Sequence, residues 1–227
     1  MYTLYVANKM YSSWSLRPWV LMRTLDIPFT ERLLPFGGGP APSFGEVSPS
    51  GKFPCLVDDE TVVWDSLAIT EYLAEAHPQI WPADREARAF ARSAAAEMHS
   101  GFANLRNTCG MVLGLRIELA TISEGLAQDI ARLDALWCDG LKRFGGPFLA
   151  GEHFTAVDAF FSAVAFRVEI YDLKLSQPAA DYARRILALP AMRDWYDAAL
   201  TETWRKAQYE REALAAGPIV ADHRNAI

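Results

Sequence analysis

The spacing of apolar positions changes twice within the first 34 residues. Residues 2–7 form a short β-rich run, and the polar stretch KMYSS interrupts it. From Ser15 onward Leu16, Trp19, Val20, Met22 and Leu25 recur at helical spacing. Pro18 falls in the first turn of that helix, where its missing N–H costs little, and the helix is expected to end near Asp26. Pro28 then stops the helical pattern, and FTERLL from Phe29 to Leu34 alternates as a second strand. The pattern predicts a βαβ unit.

Residues 35–51 hold too many glycines and prolines for regular structure, apart from one helical turn around Phe44 to Val47, and read as a functional surface loop. FPCLVD (53–58), an acidic turn and TVVW (61–64) predict a β-hairpin. Ser66 is the expected N-cap of the next helix, whose apolar stripe is Leu67, Ile69, Tyr72, Leu73 and Ala76 and which closes at His77-Pro78. After Trp81 the pattern predicts helices alone. One runs from Arg85 to Thr108 with Phe90, Ala94, Met98, Phe102 and Leu105 on one face. Another carries Leu126, Ile130, Leu133, Trp137, Leu141 and Phe144. Thr155 with Asp158 three residues on predicts a capping box opening a further helix. The expected division is residues 1–80, residues 85–217 and a loosely ordered tail at 218–227.

Length, at 227 residues, suits two modest domains, and 51% apolar with 22% charged residues is a globular composition. The net charge of −6 argues against a nucleic-acid partner, which needs a basic footprint. No apolar run reaches the roughly 18 residues that span a bilayer, and the N-terminal residues lack a basic-then-apolar leader pattern, so no membrane partner and a cytoplasmic location are expected. Cys55, Cys109 and Cys138 are widely spaced and read as reduced thiols. Two apparent motifs carry no chemistry. Gly51-Lys52 lacks the upstream glycine and following hydroxyl of a phosphate loop, and His77, His99, His153 and His223 show no metal spacing. No metal is expected.

Two clusters carry candidate chemistry. Ser12 and Ser13, in YSSWSLRPW, sit at a helix start, where free amides, the helix dipole and a hydroxyl favour an anion and would draw a bound thiol towards its nucleophilic thiolate. Helix capping is the competing role for such serines. In the second cluster, Pro54 leaves Phe53 able to turn its backbone groups towards a peptide-like ligand if the bond between them is cis. Asp65 and Ser66 would offer a carboxylate to an ammonium group and a hydroxyl to a carboxylate.

The ordered set of strand-helix-strand, Pro-led hairpin, acidic-Ser helix start and TxxD helix resembles the cytosolic glutathione S-transferase superfamily over roughly residues 2–205. The resemblance implies an α/β thioredoxin-like N-terminal domain (βαβ-ββα) that binds glutathione as co-substrate, followed by an all-α C-terminal domain that supplies the pocket for a small electrophile. It implies conjugation or isomerisation by a homodimer. YSSWSLR looks most like the serine-type, zeta-like classes, which makes Ser13, and next Ser12, the catalytic candidates. Lys52, Phe53, Pro54, Asp65 and Ser66 become the glutathione contacts. Asp65 is one methylene shorter than the usual Glu or Gln. Ile170 stands where zeta-like isomerases carry an arginine that helps bind an acidic substrate, which argues against maleylacetoacetate isomerisation, and Arg167, one turn earlier, could face the pocket but reads first as a solvated or ion-paired arginine. Cleft walls are expected near Met10 and Tyr11 and along Met98 to Arg106. The alternatives are a non-catalytic glutathione-binding protein and a glutathione-dependent peroxidase or reductase, the latter disfavoured by Trp14 where a cysteine would stand.

Overall fold

The computed structural model describes residues 1–36 and 43–224, so the middle of the 35–51 loop and the last three residues of the 218–227 tail lie outside the described residues. The first domain runs β1 (Tyr2–Val6), α1 (Ser13–Thr24), β2 (Phe29–Leu33), α2 (Phe44–Val47), β3 (Cys55–Asp58), β4 (Thr61–Trp64) and α3 (Ser66–Ala76). Its sheet has the order β2-β1-β3-β4: β2 lies parallel to β1 (Tyr2 opposite Phe29), and β3 and β4 are antiparallel to their neighbours. This is the expected βαβ-ββα order, down to the single turn of helix at Phe44.

The second domain contains α4 (Arg85–Ser100), α5 (Ala103–Thr108), β5 (Leu115–Ile117), α6 (Glu124–Phe144), α7 (Ala156–Tyr171), α8 (Gln177–Leu187), α9 (Pro190–Thr201), α10 (Ala207–Ala216) and β6 (Ile219–Asp222). α7 is buried almost all round because α1, α4, α8 and β5 pack against it. The predicted capping box at its start is present. Asp158, fully buried, accepts from the Thr155 amide at 3.0 Å, the Leu149 amide at 3.0 Å and the Tyr182 hydroxyl at 2.9 Å. No helix among the described residues is long and apolar enough to cross a membrane.

Three expectations need correction. Asp65, not Ser66, caps α3: its Oδ1 accepts from the Leu67 and Ala68 amides at 2.8 and 3.4 Å, and Ser66 is the first helical residue. The helix read from Arg85 to Thr108 breaks at Gly101 and Phe102. Phe102 is left-handed with φ 54°, and a Cβ at Gly101 would stand 2.7 Å from the Glu97 carbonyl oxygen. The third concerns the region after Trp81 and the tail. β5 and β6 pair antiparallel as a two-stranded ribbon, so residues 219–222 are ordered and not part of a loose tail. Strands of three and four residues that find partners a hundred residues away leave no periodic signal.

The two domains meet along α1, which packs on α7 and α9. Trp19 of α1 meets Trp195 of α9 edge to face at 5.1 Å. The Lys9 ammonium lies 4.9 and 5.3 Å from those two rings and 2.7 Å from Glu31 Oε1.

Candidate functional site

The loop from β1 into α1 is held from both domains. Glu202, at the C-terminal end of α9, is 6% exposed and accepts from the Lys9 amide at 2.7 Å, the Met10 amide at 3.2 Å and Asn8 Nδ2 at 3.3 Å. Trp195 Nε1 donates to the Lys9 carbonyl at 3.0 Å. Asn8 in turn accepts the Tyr11 and Ser12 amides through its carbonyl, which sets the entry into the helix.

Ser12 and Ser13 then diverge. Ser12 is the N-cap of α1, buried, with Oγ accepting from the Ser15 amide at 3.3 Å and donating to Ser15 Oγ at 2.8 Å. Ser15 Oγ passes the chain on by accepting from the Ala7 amide at 3.2 Å. Ser13, the first helical residue, is half-buried, and its Oγ has no hydrogen-bond partner among the described residues. The positive end of α1 and one uncommitted hydroxyl therefore face the same space.

That space is a cavity of about 860 Å³ between the domains, lined by Ser12, Ser13, Trp14, Lys52 and Phe53 on one side and by Arg106, Met111, Val112 and Arg167 on the other. An aromatic wall closes one end, with Tyr11 and Tyr209 at 5.2 Å, Phe36 and Phe44 at 5.7 Å, and Phe44 and Phe53 at 4.2 Å between ring centres. Phe53-Pro54 is cis, and the β3 ladder begins only at Cys55, opposite Tyr5 and Trp64, so the Phe53 backbone lies outside it. Asp65 and Ser66 are not in the cavity lining. They lie outside its lining: Asp65 has φ 77°, its Oδ2 is 3.5 Å from His99 Nε2, and Ser66 Oγ accepts from Arg17 at 3.5 Å. The His99 ring in turn meets Trp14 edge on at 5.3 Å. A second cavity of about 800 Å³, between α6, the end of α7 and the ribbon, contains none of the predicted site residues.

Tyr11 is no rival to the serines as a thiolate partner. Its hydroxyl donates to Glu210 at 2.6 Å and accepts the Lys206 amide at 3.3 Å, and burial pushes its pKa above the ordinary phenol value. Nor does Cys55, Cys109 or Cys138 line this cavity. Cys55 is fully buried and raised by desolvation, and desolvation pushes Cys109 up to about 12. Among the described residues no cluster of His, Cys, Asp or Glu is suited to a metal ion.

Charge is concentrated where the sequence reading looked least. Arg17 is 2% exposed, its guanidinium carbon 4.1 Å from the Trp14 ring centre and 4.9 Å from that of Phe160, with Nε lacking a partner among the described residues. Arg106 also approaches Trp14, at 5.4 Å. Burial, then repulsion from Arg167 and Arg106, lowers Arg17 to about 9, and burial lowers Arg167 to about 10, so both stay cationic at neutral pH. Arg167 takes the second of its two expected places: it is 4% exposed, makes no ion pair among the described residues, donates to the Cys109 and Ala163 carbonyls at 2.8 and 3.3 Å, and lines the cavity. Of the expected cleft walls, Tyr11 and Arg106 line the cavity while Met10 and Met98 are fully buried in the core. Glu202 escaped the sequence reading altogether, because nothing local marks a glutamate whose partners lie some 190 residues away.

Known proteins resemble this arrangement in both sequence and fold. The family model for the glutathione S-transferase N-terminal domain matches residues 11–76. A probable maleylacetoacetate isomerase of Caenorhabditis elegans is 29% identical over 137 residues, 58% of this chain and 62% of that protein. A zeta-class glutathione S-transferase of Euphorbia esula is 29% identical over 146 residues, 61% of this chain and 63% of that protein. These matches span less than two thirds of either relative. A Burkholderia glutathione transferase homologue, solved with bound glutathione, shares the fold at a TM-score of 0.67 with 23% identity, covering 87% of this chain and 97% of that one. The matched segment runs from Tyr11 past Ser12, Ser13, Phe53 and Asp65 to the end of α3, so residues 11–76 match the glutathione S-transferase N-terminal domain, and the thioredoxin-like domain joined to a helical one shares the fold of solved glutathione transferases.

Proposed function

We propose that this protein is a serine-type, zeta-like glutathione transferase in which Ser13 Oγ and the first turn of α1 hold the glutathione sulfur as a thiolate for attack on a small electrophile in the interdomain cavity. The observation that carries this reading is the contrast between the two serines: Ser12 Oγ is committed to capping, and Ser13 Oγ is uncommitted and lines the cavity. A hydroxyl donating to a thiolate, beside a helix N-terminus, stabilises the charged form and lowers the thiol pKa. The Phe53 backbone beside Pro54 would pair with the cysteinyl part of glutathione, Asp65 and Ser66 would take the γ-glutamyl end, and Lys52 a carboxylate. The Asp65 Oδ1 already serves two amides, which leaves Oδ2, beside His99, for an ammonium group. A cytoplasmic homodimer belongs to the same reading, and the half-exposed Trp64 and Val62 on β4 supply an apolar face in its support. A peroxidase or reductase finds no support in the two buried, thiol-form cysteines.

Calorimetric titration of glutathione, with thiolate absorbance near 240 nm followed against pH, tests the assignment. Wild type is expected to bind and to depress the thiol pKa, and Ser13→Ala to bind similarly without the depression. Ser12→Ala is expected to weaken the fold by about 1 kcal/mol through the lost cap while leaving much of the depression. Depression retained in Ser13→Ala and lost in Ser12→Ala reverses the two roles. Binding without rate enhancement on any electrophile identifies a carrier, and no binding at all removes the reading.

A further inference from the structure

His99 stands beside the carboxylate that the proposed function gives to an ammonium group. It belongs to α4, in the second domain, and its Nε2 lies 3.5 Å from Asp65 Oδ2, an ion-pairing distance. Asp65 has one oxygen left to offer. Its Oδ1 is spent on the Leu67 and Ala68 amides at the start of α3, so His99 and an incoming ammonium group contend for Oδ2. The imidazole is held in place: Trp14 of α1 meets it edge on at 5.3 Å, and Phe160 of α7 lies tilted to it at 6.3 Å. Its side chain is 25% exposed, so solvent protons reach it, but Nδ1 is buried with no hydrogen-bond partner among the described residues.

These surroundings oppose charge on the ring. Protonation makes both ring nitrogens donors, and the added N–H at Nδ1 would have no acceptor. From the elements packed around it, α1 presents the Arg17 guanidinium and α5 that of Arg106, against the Asp65 carboxylate at the start of α3, while α7 presents the uncharged Phe160. Burial outweighs the attraction of Asp65, the two arginines add to it, and the imidazole titrates below its ordinary 6.5. At neutral pH the ring is therefore uncharged, and in mild acid it gains a proton.

We propose that His99 is a proton-operated gate on the γ-glutamyl end of the site: charged, it pairs with Asp65 Oδ2 and repels the ammonium group of glutathione, and neutral, it leaves that oxygen to the ligand. This rests on the glutathione transferase reading and adds a regulation of the same site. A bound ammonium group disfavours the imidazolium, so the ligand lowers the His99 pKa, and by reciprocity the proton weakens the ligand by the same factor. Affinity is full above the titration of His99 and falls as pH drops through it.

The experiment titrates S-methylglutathione by calorimetry into wild type and His99→Gln at about pH 7.5 and about pH 5, either side of the imidazole titration. The methylated sulfur cannot ionise, so Ser13 and the thiolate take no part in the profile. A second ligand carries glutaryl in place of γ-glutamyl, which keeps the carboxylate and lacks the ammonium group. Wild type is expected to bind S-methylglutathione up to about tenfold more weakly in acid, the factor for one pKa unit of coupling. The glutaryl ligand in wild type, and S-methylglutathione in His99→Gln, should show affinities close to equal at the two pH values. Histidine C–H resonances followed by NMR give an independent readout, a His99 pKa lower with S-methylglutathione bound than without. Equal profiles in wild type and His99→Gln, an equal fall with the glutaryl ligand, or tighter binding in acid overturns the proposal and leaves the transferase reading standing. Where His99→Gln does not fold, the NMR titration decides, and a His99 pKa unmoved by the ligand overturns the proposal. Failure of wild type to bind S-methylglutathione or glutathione at either pH removes both readings together.

Discussion

Glu202 offers a direct test of how the second domain shapes the first. Its carboxylate is 6% exposed and receives three hydrogen bonds from Asn8, Lys9 and Met10, residues that are themselves 1%, 7% and 0% exposed. Hydrogen bonds to a charged acceptor contribute about 1.5–3 kcal/mol each, and they do not simply add when they share one carboxylate. Glu202→Ala leaves the Lys9 and Met10 amides buried without an acceptor, so a loss of about 3–5 kcal/mol is expected. Glu202→Gln keeps one oxygen but turns an NH2 group towards another donor, and about 1–3 kcal/mol is expected. Urea unfolding with a two-variant series measures both. Because the Asn8 carbonyl also receives the Tyr11 and Ser12 amides, the Gln variant should in addition raise the pKa of bound glutathione, although Glu202 lines no part of the cavity. If both variants unfold within about 0.5 kcal/mol of wild type, the ordinary range of a surface substitution, the claim that this carboxylate anchors the loop would be refuted.

Two further outcomes are expected. Complete burial raises Asp158 from 3.8 to about 6 despite its four donors, so the fold favours the protonated carboxyl, and this group's contribution to stability falls as pH rises through roughly pH 4 to 6. Wild-type stability measured relative to Asp158→Asn, which cannot titrate, should therefore decline by about 3 kcal/mol across that window, and a flat difference refutes the assignment. At Gly140 in α6 an added Cβ would stand 2.6 Å from the Leu149 carbonyl oxygen and 2.9 Å from the Phe90 ring. Gly140→Ala should thus lower the unfolding free energy by about 1–3 kcal/mol in spite of the better helix propensity of alanine, and a variant more stable than wild type contradicts that packing argument.

What the sequence disclosed follows from how local each signal is. β1, α1, β2 and the hairpin were legible because apolar spacing, Pro18, Pro28 and the acidic turn all act within a few residues. The capping box at Thr155 and Asp158 was legible for the same reason. The break at Gly101 was not, since glycine inside a helical pattern is tolerated unless neighbouring packing demands otherwise. Ser12 and Ser13 were found as a pair, but which of them is spent on capping depends on the position of Ser15 and Ala7 in space. Asp65 reads from the sequence as a ligand residue, and the structure shows it as the N-cap of α3. Arg167 and Glu202 were misjudged or missed because their partners, Cys109 and the loop at Asn8 to Met10, lie 58 and about 190 residues away along the chain.

The anchoring of the β1–α1 loop by Glu202 also bears on the order in which the protein is made. A ribosome releases the four-stranded sheet early, and a domain of this kind starts to fold as it emerges. The acceptor for the Lys9 and Met10 amides, however, appears only after some 190 more residues have been added. Until then the helix start that carries Ser12 and Ser13 lacks its outer support, and a nascent chain that has completed the first domain still holds an unfinished candidate site. On the proposed function, completion of the site is thereby coupled to translation past α9, and a fragment that ends before that point is expected to lack the Glu202 anchor.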